Sequence, residues 1–136
     1  MCLDLRNGRD KLLVAEDDIV CYKVLFNYIY ELGNKTDNPL LTYYQFFPVE
    51  MGKEYSSKLV MIDENVEIGL HSFCTDLEAK HFVHRKSAFA VNINLYVVKC
   101  VIPKGSKYYH GSFFSMLGDF NSYASDTLRY EEIIKN

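Results

Sequence analysis

Between Ile19 and Phe26 the chain reads Ile-Val-Cys-Tyr-Lys-Val-Leu-Phe, an almost unbroken run of β-branched and aromatic residues introduced by Asp17 and Asp18. Such a run fits a buried strand, and the first core strand is expected there. Asn27 to Leu32 extends it or begins a short helical turn, and the turn formers from Gly33 to Pro39 mark a surface loop. Leu40 to Phe47 is apolar and continuous until Pro48, and Met51 to Tyr55 reads as a turn leading into another extended piece. Leu59 to Ile62 is a further short strand. Gly69 to Cys74 alternates with a period of two. After it, Leu77, Ala79 and Phe82 suit a short amphipathic helix, and Thr75 with Glu78 three residues later has the form of a capping box. Leu95 to Pro103 is the strongest strand, and Tyr123 to Ile134 offers a last extended stretch after a glycine-containing loop. Met1 to Lys11 is weakly patterned and reads as an N-terminal arm that lies across the domain or stays loose.

This order predicts an α+β domain with a mostly antiparallel, Tyr/Phe-rich β core and one or two short helices, occupying residues 1–136 as a single unit. A chain of 136 residues is long enough to bury a core without disulfide or metal staples. Its eleven Tyr and nine Phe, with no Trp, favour half-buried walls whose hydroxyls need partners. A net charge of −3 with scattered Lys and Arg gives no electrostatic footprint for general nucleic-acid binding. No stretch has the length of a bilayer span, and no signal-peptide pattern opens the chain. Cys2, Cys21, Cys74 and Cys100 show no short ligand spacing, so they are expected to be reduced thiols in a cytoplasmic protein, with no metal.

Several residues carry candidate chemistry. His71, in a strand that runs into a helix, stands where side chains and free N–H groups converge on ligands, or is a satisfied structural histidine. His81 and His84 share a helix face, for which a solvated surface is the expected reading over a metal site. Cys2 would become a terminal nucleophile if Met1 were removed. Tyr43 and Tyr44 can stack on a planar ring or simply fill a core strand. His110-Gly111-Ser112 allows close approach of a phosphate or forms an ordinary turn in an aromatic loop. Asp119 and Asp126 flank Asn121 to Ser125 and offer a carboxylate for a ribose hydroxyl or for base chemistry, or plain turn chemistry.

Met1-Cys2-Leu3, Asp18 to Leu25, Gly69 to Phe73, Val97 to Tyr109 and Tyr123 to Asp126 together resemble a small uncharacterised family of bacterial and phage proteins of Bacteroides-type genomes. That resemblance implies no activity. Gly69 to Phe73 followed by Leu77 and Ala79, with Asn121 to Leu128 as a closing element, is similar in layout to the ADP-ribosyltransferases. The chain departs from that pattern at Tyr22 and Lys23, where the transferases carry His or Arg, at His71, where an aromatic residue is common, and in having no Glu in the closing motif. The likeness implies a cleft for NAD or a related nucleotide that keeps binding and lacks the acid needed for transfer.

The resulting expectation is a small-ligand-binding domain for a nucleotide or NAD-derived molecule, in the setting of a phage a sequestering protein. Its ligand residues are expected among Tyr22, Lys23, Tyr43, Tyr44, His71, Ser72, Ser125 and Asp126, with Lys23 neutralising phosphate and the tyrosines stacking. No cofactor or catalytic residue is assigned. The alternatives are a divergent ADP-ribosyl-transfer or hydrolytic enzyme and a protein-interaction or inhibitor module docking through aromatic side chains.

Overall fold

A computed structural model of the chain describes residues 3–4, 12–28, 40–43, 45–63, 65–87, 92–115 and 118–134. In chain order its strands are β1 (Leu3–Asp4), β2 (Leu13–Val14), β3 (Ile19–Tyr28), β4 (Leu40–Thr42), β5 (Pro48–Val49), β6 (Glu54–Ser56), β7 (Val60–Ile62), β8 (Asn65–Ile68) and β9 (Leu70–Phe73). Helix α1 (Asp76–Ser87) follows, then β10 (Ile93–Ile102), β11 (Lys107–Ser115), β12 (Gly118–Ser125) and β13 (Thr127–Ile134). Every pairing among the described residues is antiparallel, and the strands belong to one sheet.

The spine is β3 against β10, ten residues each, in register from Ile19↔Ile102 to Tyr28↔Ile93. Both strands are hydrophobic on both sides because both faces of the sheet are covered at this point. One face gathers Cys21, Leu25, Val98, Cys100, Ile102, Leu128 and Tyr130. The other gathers Val24, Phe26, Phe73, Leu95, Val97, Phe113 and Phe120 under Ala79 and Phe82 of α1. Alternation along β3 therefore sends its odd-numbered residues to the first face and its even-numbered ones beneath the helix.

From this spine the sheet extends as two halves. One continues through β10 to β13 and β6, the other through β9, β12, β11, β1, β8 and β7. The halves are joined at the β3–β9 pairing, whose register consists of Tyr22↔Phe73. Gly69 is the single residue between β8 and β9, at a bend of the chain, and a Cβ there would stand 2.7 Å from a methyl of Leu59, which would have to shift.

The expected capping box forms: the Glu78 N–H donates to Thr75 Oγ1 at 3.2 Å, and the Thr75 hydroxyl donates to Glu78 Oε1 at 3.2 Å. Glu78 Oε2 also accepts from the Asn121 N–H, which ties the helix start to β12. Leu77, expected on the apolar face, points outward at 73% exposure, while Ala79 and Phe82 are buried.

Leu3, near the start of the chain, is fully buried, and β1 pairs with both β11 and β8. Three expectations are corrected. Leu40 to Phe47 is a strand only to Thr42, because the chain then turns back into β5 through Phe46, whose φ of 56° is left-handed. His110-Gly111-Ser112, read as a loop, lies in β11, where eight successive residues pair with β12 and override the turn character of Gly and Ser. Tyr123 to Ile134 is not one stretch but the end of β12 and all of β13, broken at Asp126. Among the described residues, no helix is long and apolar enough to cross a membrane.

Candidate functional site

One edge of β3 is paired throughout by β10. The opposite edge is shared, with β9 holding it at Tyr22 and β4 holding it at Leu25 and Phe26. Between those contacts, at Lys23 and Val24, neither strand is in register with β3, and β4 and β9 diverge. A cavity of about 230 Å3 lies at this split, lined by residues of both faces of the sheet.

Lys23 is an odd-numbered residue of β3 and so belongs to the face of Cys21 and Leu25. Its Nζ donates to the carbonyl oxygen of His71 at 2.8 Å. Among the described residues no carboxylate pairs with it, and the side chains that act on its charge are the Cys100 and Cys21 thiols. Burial pulls its pKa below the usual lysine value. An ammonium carries three protons, and two of these have no protein acceptor in the described structure.

Ser72 lies beside it on β9, 1% exposed, and its hydroxyl makes no hydrogen bond of good geometry. Its polar neighbour is the thiol of Cys21, which burial pushes up to about 11 and keeps protonated. An unbonded buried hydroxyl costs stability, so Ser72 is a group the fold alone does not satisfy.

Aromatic rings make the walls. On one side Tyr55 sits edge-on to Phe47 at 6.1 Å and to Tyr130 at 5.5 Å, and the Glu50 N–H donates to its hydroxyl at 2.9 Å. On the other side Tyr43 lies edge-on to Phe82 at 5.8 Å and Phe26 at 5.7 Å. Thr42 fixes the loop that carries Tyr43 and Gln45: its N–H donates to Phe47 O at 2.9 Å, and its Oγ1 accepts from the Phe47 N–H at 3.0 Å.

The fold thus brings Lys23, Tyr43, His71 and Ser72 to one cavity, with widely differing roles. Both nitrogens of the His71 ring face backbone carbonyls, Nδ1 3.1 Å from Gly69 O and Nε2 3.4 Å from Val66 O, and a neutral ring donates to one of the two. Burial, helped by the charge of Lys23, lowers its pKa to about 4, so the ring is neutral and structural, and its carbonyl is what faces Lys23.

The other expected ligand residues lie elsewhere. Tyr22 points under α1, against the aromatic cluster there. Burial and the nearby Asp76 carboxylate raise its pKa. The Ser125 hydroxyl donates to Thr127 O at 3.0 Å, and Asp126 Oδ1 accepts from the Lys107 N–H at 3.1 Å and the Thr127 hydroxyl at 3.2 Å. Both are committed to the break between β12 and β13, and neither lines the cavity. Tyr44 and Cys2 lie outside the described residues. His81 accepts from Arg85 Nε at 2.9 Å on the exposed helix face that also carries His84.

Gln45, beside the Tyr43–Tyr44 pair, lines the cavity, as do Phe47, Tyr55, Tyr130, Ser56 and Ser57, which were not expected. Tyr55 and Tyr130 meet because β6 pairs with β13, a contact between segments 75 residues apart for which the local pattern holds no signal. The chain matches no family model, no curated protein and no solved structure.

Proposed function

We propose that this chain is a binding protein for a small nucleotide-like ligand, with an aromatic ring held between the tyrosine and phenylalanine walls and an anionic group on Lys23. The observation that carries this reading is the Lys23 ammonium: it opens into an aromatic-lined cavity with one backbone acceptor and no carboxylate partner among the described residues. A buried charge without a counter-charge is costly to a fold, and a bound anion would complete it. Ser72 supplies a donor beside it.

The likeness in layout to the ADP-ribosyltransferases implies a cleft for NAD or a related nucleotide, which is the ligand class proposed for this cavity. Transfer chemistry has less support. Among the described residues no Asp or Glu lines the cavity, and the Asp126 carboxylate, in the closing motif, is spent on Lys107 and Thr127. The described lining therefore offers no carboxylate to stabilise an oxocarbenium-like transition state. Binding without turnover would make the protein a sequestering or sensing domain.

A thermal-shift screen of the purified chain against mononucleotides, cyclic nucleotides, ADP-ribose and NAD tests the reading, since a ligand of the native state raises the melting temperature. The expected result is a shift with at least one compound that Lys23→Met abolishes. Absence of any shift, or an undiminished shift in Lys23→Met, would overturn it.

A further inference from the structure

We propose that the ligand of this cavity is an aromatic-ringed monoanion, bearing one phosphodiester or carboxylate charge, rather than a di- or triphosphate. This inference rests on the binding reading above and narrows it by counting charge. Among the described residues that line the cavity, Lys23 is the sole Lys or Arg, and none is Asp or Glu. His71, the other basic side chain, has both ring nitrogens against carbonyl oxygens. Lys53 and Lys86 stand over the rings of Tyr55 and Tyr43 at 5.6 and 5.1 Å from the centroids, but neither lines the cavity.

The donors present suit one small anionic group. Lys23 offers two unused N–H bonds and Ser72 an unused hydroxyl, on adjacent strands. Sites that hold a pyrophosphate bring a row of backbone N–H groups at a helix N-terminus or glycine-rich loop. Here α1 begins at Asp76, three residues beyond Phe73, the last residue of β9 that lines the cavity, with Thr75 and Glu78 occupying its first turn. A first negative charge is matched by Lys23, whereas a second would enter an aromatic enclosure with no further cation among its described lining residues.

A calorimetric titration with one ring and a graded charge tests this. Adenosine, cyclic AMP, AMP and ADP carry increasing negative charge at about pH 8, where the second phosphate proton is lost. Nicotinate is added as a ring carboxylate, so that the two sources of a single charge are separated. The expected order places cyclic AMP or nicotinate tightest, with AMP and then ADP each weaker by roughly tenfold or more, since an unmatched buried charge is costly. Lys23→Met, which replaces the unpaired ammonium by an apolar chain of similar length, is expected to melt no lower than the parent. It should also bind adenosine better than cyclic AMP. ADP binding as tightly as cyclic AMP and nicotinate, or adenosine binding tighter than both to the parent protein, would overturn the inference and leave a nucleotide site standing. Binding of none of the five compounds would count against the parent reading itself, and the monoanion would fall with it.

Discussion

His71 and Lys23 show how one strand contact sets two ionisation states. The His71 carbonyl accepts from Lys23, while its ring sits between the carbonyls of Gly69 and Val66. Burial favours the uncharged form of both side chains, lowering the pKa of each. For His71 the folded-state value of about 4 lies below the 6.5 of a free histidine, so the unfolded chain binds the proton more readily. Its contribution to stability is complete above about pH 6.5 and is lost as pH falls through about 4, amounting to roughly 3 kcal/mol. Urea unfolding at several pH values across that window should show parent stability falling more steeply on acidification than that of His71→Gln. A parallel pair of curves would contradict the buried neutral ring.

At the scale of elements, α1 is held by the packing of Ala79 and Phe82 on the sheet and by polar bonds at its start. The Thr75–Glu78 capping box and the bond from the Asn121 N–H to Glu78 both meet at one carboxylate. Only Ala79 and Phe82 of the helix are buried. Glu78→Ala removes the bonds from the Thr75 hydroxyl and the Asn121 N–H to the carboxylate, leaves the Glu78 N–H to Thr75 Oγ1 bond in place, and is expected to destabilise the protein by about 1 kcal/mol, as measured by chemical denaturation. Ligand affinity at the Lys23 cavity should stay unchanged, because Glu78 does not line it. A change below about 0.5 kcal/mol would show that the cap is redundant with the packing of Phe82. The strand pairings of β11 and β12 teach a related lesson. Gly111 and Ser112 have the local preferences of a turn, yet they sit mid-strand because residues 107–115 and 118–125 form a continuous ladder. Cross-strand pairing outweighs local propensity there.

For the whole molecule, the join between the two half-sheets matters most. They meet at Tyr22↔Phe73, with the cavity immediately beside that contact. A ligand seated between Lys23, the β9 residues and the β4–β5 loop would link the halves. Hydrogen exchange of backbone amides should slow on both sides of the split, in β4 and in β9, with the ligand that gives the thermal shift. Protection confined to one side would place the ligand against a single half-sheet.

The sequence alone determined the strands of the spine, the helix and its cap, because these follow from local pattern: unbroken apolar runs at Ile19–Phe26 and Leu95–Ile102, and Thr75 three residues before Glu78. Lys23 was named through the resemblance in layout to the ADP-ribosyltransferases, as a group to neutralise phosphate, rather than through the local pattern. Tertiary structure decided the rest. Period-two alternation states that neighbours face opposite ways but not which face holds a cavity, so Tyr22 and Lys23 looked alike although one lies under the helix. Ser125 and Asp126 looked available because their partners, Thr127 O and the Lys107 N–H, are backbone groups that sequence does not display. Tyr55 and Tyr130 became a wall only through the pairing of β6 with β13. A binding cavity is built from contacts between distant segments, and those are fixed by strand order and register rather than by local pattern.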